Sequence, residues 1–200
     1  MYFYCFSIKI CYICIVILNL NNMSKRNIFI FKGLHIVAWI IFVGLCIDAG
    51  GLVVNFIFSL YKPEYVQNLY QKLDLSQMYN LNKWVYYGMY GFILAIAMLK
   101  ATMFYAVIRL ISKLNLSKPF SSYVADQITR ISYYTLAIGL ISNIARQIAK
   151  NLQQTGFEVD MLNQFWGDSQ AYILMAAVIY VIATIFSRGV EIQNEIDLTV

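Results

Sequence analysis

Apolar residues in this chain come in long blocks separated by shorter polar stretches, with no sustained alternation. Residues 33–60, 85–111, about 131–149 and about 171–187 form such blocks. Each approaches or exceeds the roughly 20 helical residues that cross a hydrocarbon core. A backbone exposed to lipid must satisfy its own hydrogen bonds, and no paired barrel pattern is visible, so every block is predicted to be a helix. The expected fold is an all-α integral membrane protein, a four-transmembrane-helix bundle. It would form one domain over residues 23–200, with a tail at 188–200.

The segments between the blocks carry their own patterns. In residues 65–84, Val66, Leu69, Tyr70 and Leu73 have helical spacing, which predicts an interfacial helix lying on a leaflet. Residues 151–170 mix Phe157, Met161, Leu162, Phe165 and Trp166 with Glu158, Asp160 and Asp168. We favour an aromatic belt anchored among headgroups over a lid on a ligand cavity, because Trp and Tyr concentrate at that depth. Ser117-Lys118-Pro119-Phe120-Ser121 is expected to open the third helix, with Pro early and a Ser before it as cap. Phe120, Val124 and Ile128 continue one apolar stripe from there.

Composition agrees with the blocks: 60% of residues are hydrophobic, 16% aromatic and only 12% charged. A soluble domain averages about 45–50% apolar and about 25% charged, so the bilayer itself is the first expected partner. The net charge of +5 comes from scattered Lys and Arg that form no basic stripe, which argues against direct nucleic-acid binding. Their distribution instead orients the bundle. Lys25, Arg26 and Lys32 precede the first block, Arg109, Lys113, Lys118 and Arg130 flank the middle loop, and Arg188 follows the last block. Against these stand Lys62, Lys72, Lys83, Arg146 and Lys150, so both termini and the middle loop are expected in the cytoplasm. Of the four cysteines, Cys5, Cys11 and Cys14 lie at the start, and Cys46 is expected to pack as a small apolar residue. A lone Cys11-x-x-Cys14 pair is too little for zinc, which takes four ligands in a structural site, so no metal or cofactor is expected. Residues 1–22 contain no Ala, Gly, Asp or Glu, and Met23-Ser24-Lys25-Arg26 reads as a start. The preferred expectation is a mis-assigned start, with a true extra anchor as the alternative.

Candidate chemistry lies at membrane depth. Asp48 is twelve residues beyond Ile36 and Lys100 eleven before Ile111. At about 1.5 Å per residue, both fall some 16–18 Å from one boundary. An ionisable side chain there costs about 2.5–3.5 kcal/mol on insertion scales and usually finds a partner. An Asp48–Lys100 pair between antiparallel neighbours is therefore expected, structural by default and proton- or ligand-responsive as the sharper option. Gly50-Gly51 beside it would admit a close backbone. Asn143 and Arg146 add polar groups one turn apart in the third block. His35, the single histidine, sits at a membrane edge where structural use is expected. Neither a phosphate loop nor a nucleophile elbow occurs, and the chain is read as non-enzymatic.

The closing residues, Arg188-Gly189-Val190-Glu191-Ile192-Gln193-Asn194-Glu195-Ile196-Asp197-Leu198-Thr199-Val200, are abruptly acidic. They resemble the closing motif of domain-of-unknown-function family 2975, small bacterial membrane proteins. Lys118-Pro119-Phe120-Ser121 is similar to a Pro-Phe-Ser element of that family, although Ser122 and Tyr123 stand where acidic or amide residues are expected. The resemblance covers roughly residues 32–200. It implies a protein of the bacterial cytoplasmic membrane, often encoded beside a Cro/C1-type helix-turn-helix regulator. A regulatory membrane protein contacting such a regulator is the first expectation, with Arg188, Glu191, Gln193, Glu195 and Asp197 as the contact. Val190, Ile192, Ile196 and Leu198 are then available for burial. The alternatives are a small transporter or channel lined by Asp48, Lys100, Asn143 and Arg146, rescued by homo-oligomerisation, and an accessory subunit of a membrane complex.

Overall fold

The computed structural model describes residues 25–61, 74–114 and 120–199, and the described residues form helices and connecting turns only. The expected start at Met23, the three N-terminal cysteines, and Val66, Leu69, Tyr70 and Leu73 of the interfacial helix lie outside the described residues.

The long helices are α1 (Lys25–Tyr61), then, after the short α2 (Ser76–Leu81), α3 (Lys83–Lys113) and α4 (Ser122–Gln154). A 3-10 turn (Asp160–Leu162) and the one-turn α5 (Asn163–Trp166) lead into α6 (Ser169–Thr199). Among the described residues, three stretches are long and apolar enough to cross a membrane: Ile30–Tyr61, Lys83–Lys113 and Asp160–Ile196. At about 1.5 Å per residue, each exceeds the ~30 Å of a hydrocarbon core.

The expected third block lies inside α4, which does not belong to that apolar set. Its position in the packing explains its composition. The helices pack in series, α1 on α3, α3 on α4, and α4 on α6, so α4 is covered on two sides. Gln127, Ser132, Thr135 and Ser142 are buried there. The Ser132 and Thr135 hydroxyls donate to the carbonyls of Thr129 and Ile131 at 2.7 Å, so their burial leaves no orphaned donor. The uncovered face is apolar at helical spacing: Tyr133, Leu136, Leu140, Ile144 and Ile148. α1, by contrast, touches essentially one neighbour, and Ile36, Val37, Ile40, Ile47 and Val54 remain exposed.

Local signals set the helix starts. Asn82 caps α3 by accepting from the Trp84 N–H at 2.9 Å. Ser121 caps α4, accepting from Val124 N–H at 3.3 Å. The third helix thus opens after the Pro-Phe pair instead of with it, since Ser121 is the residue whose hydroxyl can reach back to an orphan amide. Ser117, Lys118 and Pro119 lie outside the described residues. Gly139 lets α6 approach α4 closely: a Cβ there would stand 2.7 Å from Ile173 Cγ1 and 3.0 Å from Ile173 N.

Two levels fix the register. Near the end that carries the tail, His35 Nε2 lies 3.1 Å from Ser112 Oγ, joining α1 to α3. Near the opposite end, which carries α2 and α5, the Tyr90 hydroxyl donates to the Leu52 carbonyl at 3.0 Å. That loop end is densely packed. Tyr79, Tyr86 and Tyr90 are buried in an aromatic cluster with Phe56 and Tyr87. The Glu158 N–H donates to Gln77 Oε1 at 2.9 Å, tying the two connecting segments together. Asp74 accepts from Ser76 at the start of α2, and these bonds hold its carboxyl below the ordinary range.

The aromatic-belt expectation for residues 151–170 needs correction. Leu162, Trp166 and Val159 are buried in the protein core, while Met161 and most of the polar residues of the segment face outward. Each large aromatic side chain removes about 150–250 Å² from its surroundings when buried, and the bundle core offers that site without a headgroup layer. The segment folds as a plug over the helices, the geometry of the lid alternative.

Candidate functional site

Asp48 on α1 and Lys100 on α3 line one cavity of about 170 Å³. Its other walls are Leu45 and Leu52 from α1, Ile96 and Ala97 from α3, and Gln164 and Phe165 from α5. The shared wall follows from the register. Asp48 lies thirteen residues beyond His35, and Lys100 lies twelve before Ser112. At 1.5 Å per residue, both stand about 18–20 Å from the His35–Ser112 level. The two residues thus stand at similar heights above that contact and on one cavity lining.

Direction matters as much as depth. A helical Cα–Cβ bond tilts toward the helix N-terminus, so Lys100 leans toward the loop end of α3. There its Nζ stands 5.7 Å from the Tyr172 ring centroid, within cation–π range. Asp168, just before α6, is a carboxylate whose field reaches Lys100. The plug thus brings an acidic and an aromatic neighbour to a lysine that the sequence assigned to Asp48 alone. Asp48 is half-buried on the same cavity wall. Sequence reasoning missed Gln164, Phe165 and Asp168 because their segment was placed among headgroups, and Tyr172 because it was read as part of the last apolar block. The available signal was an Asp and a Tyr flanking the predicted start of the last block.

Asn143 and Arg146 are half-buried on α4 and lie outside the lining of this cavity. His35 has the structural environment expected of it. It is 6% exposed, and its Nε2 accepts from Trp39 Nε1 at 3.2 Å. Cys46 is exposed on α1, a departure from the packed role expected of it. Among the described residues, no group of three or more His, Cys, Asp or Glu is placed to hold a metal.

At the tail end, α6 continues without a break through Thr199. Arg188 pairs with Glu191 at 2.7 Å, with both side chains largely exposed, a contact worth about 0.2–1 kcal/mol. Ile192 and Ile196 are exposed one turn apart, Glu191 and Glu195 are exposed, and Gln193 is half-buried. Asp197 and Leu198 have helical backbone, and their side chains lie outside the described residues. The Phe120 ring lies over Gly189, where a Cβ would overlap it, and packs on Phe186 at 5.4 Å between centroids. Pro-Phe-Ser and Arg-Gly-Val-Glu, distant in sequence, therefore meet in space.

A family model described as "Protein of unknown function (DUF2975)" matches residues 68–200. The chain belongs to this family. The match begins after α1, later than the residue-32 start read from the sequence. Lys100, Asp168, the Phe120–Gly189 contact and the tail fall inside it, while Asp48 and His35 fall outside. Neither the curated proteins nor the solved structures contain a match to the chain.

Proposed function

We propose that this DUF2975 member is a non-enzymatic regulatory protein of the bacterial cytoplasmic membrane, with four spans and both termini in the cytoplasm. Its tail helix contacts a cytoplasmic helix-turn-helix regulator. The observation that carries this reading is the continuity of α6. One helix starts beside Lys100, at Asp168 and Tyr172, and ends in an exposed segment bearing Ile192, Ile196, Glu191 and Glu195. A rigid rod between a polar site at membrane depth and an exposed end suits transmission of a state from one to the other. The fourth span is α4, whose outward stripe of Tyr133, Leu136, Leu140, Ile144 and Ile148 suits lipid contact while its polar face is covered by neighbours.

The tail suits a basic partner with an apolar groove. Glu191, Glu195 and Asp197 outnumber Arg188, and a nucleic-acid-binding regulator is basic. Phe120 seated on Gly189 holds the base of the tail against α4, so its free end is presented at a fixed angle. Removing Glu191–Val200 should leave insertion and stability intact, because the packed surfaces of α6 lie before that point. It should abolish capture of the regulator from membranes. Degradation of the truncated protein would make the tail structural, and undiminished capture would move the contact elsewhere. The second reading, a small transporter or channel, draws on the cavity between Asp48 and Lys100. Its requirement for transport across the membrane distinguishes it in a vesicle uptake assay.

A further inference from the structure

We propose that the cavity between α1, α3 and α5 binds a small zwitterion, an ammonium and an oxyanion a few bonds apart, with a short apolar portion. Opposite charges on facing helices are the first reason: Asp48 can receive the ammonium, and Lys100 the oxyanion. Gln164, on the same lining, has an amide N–H that can donate to the oxyanion and a carbonyl that can accept from the ammonium. Leu45, Leu52, Ile96 and Phe165 give the remainder an apolar surface. A simple anion would meet Asp48 and the nearby Asp168 as well as Lys100, and a simple cation would meet Lys100. A zwitterion satisfies both signs at once.

Size narrows the class. The cavity of about 170 Å³ corresponds to roughly six water-sized groups at ~30 Å³ each. It falls below the ~300 Å³ at which drug-sized pockets begin. An amino acid with a small aliphatic side chain fits this description, and so does the ethanolamine phosphate headgroup of a lipid. Gln164 and Phe165 belong to the one-turn α5, so the connecting segment supplies one wall of the site and α1 and α3 the others.

This inference is independent of the tail's partner, because binding is read on the purified full-length protein alone. The protein is reconstituted in phosphatidylglycerol nanodiscs, and its thermal midpoint is followed against L-leucine, isoamylamine and isovalerate. A second arm compares nanodiscs containing phosphatidylethanolamine with those containing phosphatidylcholine, whose methylated ammonium donates no hydrogen bond. A rise in midpoint with leucine but with neither half-molecule supports a free amino acid. A rise with phosphatidylethanolamine alone supports the headgroup. Either shift should weaken at least tenfold in apparent affinity in Lys100→Gln and Asp48→Asn. Gln164→Ala, at an exposed position with little folding role, should weaken it severalfold and serves if the charge variants do not fold. The proposal is overturned if neither zwitterion shifts the midpoint, if isoamylamine or isovalerate alone matches leucine, or if Gln164→Ala and the charge variants leave the shift unchanged.

Discussion

Lys100 shares a cavity lining with the half-buried Asp48 and feels the field of the exposed Asp168, so two carboxylates of different exposure are candidates to offset its charge. The two partners should differ in energetic weight. Exposed ion pairs contribute about 0.2–1 kcal/mol, whereas stranding one member of a buried pair costs up to about 3–5 kcal/mol. Lys100→Met should therefore lower the thermal midpoint in detergent clearly, Asp48→Asn less, and Asp168→Asn least. Combining Lys100→Met with Asp48→Asn should recover part of the loss, giving a coupling of at least about 0.5 kcal/mol. Strict additivity for both carboxylates would mean that Lys100 is held by its Tyr172 contact and its apolar stem instead. The depth of Asp48 and Lys100 was legible in the sequence because helical rise converts residue count into height. Asp168 and Tyr172 were not, because nothing local reveals that a connecting loop turns inward to bury Trp166 and Leu162.

At the scale of elements, α4 and α6 form the most intimate pair, and glycine makes that possible. Gly139 faces backbone atoms of α6, with Ile173 N at 3.0 Å and Ser169 O at 3.2 Å from the position of a Cβ. Backbone cannot rotate away as a side chain can, so Gly139→Ala should overpack the crossing and cost about 1–3 kcal/mol. Gly88, on α3, has nothing within 4 Å of that position. Gly88→Ala should therefore be neutral or stabilising by up to about 0.5–1 kcal/mol, from helix propensity alone. Thermal midpoints of the two variants in the same detergent check the pair, and equal effects would refute the close-approach account. The helices α1, α3 and α6 were legible because their apolar blocks are long. α4 was legible as a helix because residues 131–149 read as one more apolar block, but its polarity makes sense only once α3 and α6 are seen to cover it. The contact of Phe120 with Gly189 had a faint trace in the sequence, since both belong to segments that resemble the family. Spacing alone could not bring them together.

For the whole molecule, two chemically distinct ends constrain how the bundle sits in a bilayer. The His35–Ser112 level, Phe120 and Arg188 mark one end, while α2, the plug and the Tyr90–Leu52 contact mark the other. Lys113, which lies 4.8 Å above the Tyr123 ring, and Arg109 and Arg130 gather at the tail end. Positive charge near span ends favours the cytoplasmic side, so the proposed orientation has the tail there and the plug outside. The loop end carries acidic groups, Asp74, Glu158 and Asp160, around a cavity of about 310 Å³, and acidic residues contribute little to orientation. Four spans make the tail end and the middle loop share a side, whereas three spans, with α4 lying outside the bilayer, would separate one from the other. A cytoplasm-active reporter should therefore give signal both after Val200 and when inserted near Leu114. A periplasm-active reporter should give signal near Asn80 and Gln154. Cytoplasmic signal at Gln154 together with Leu114 would remove α4 from the membrane, because the two sites bracket that helix. In that case the stripe from Tyr133 to Ile148 would have to be buried against something other than lipid.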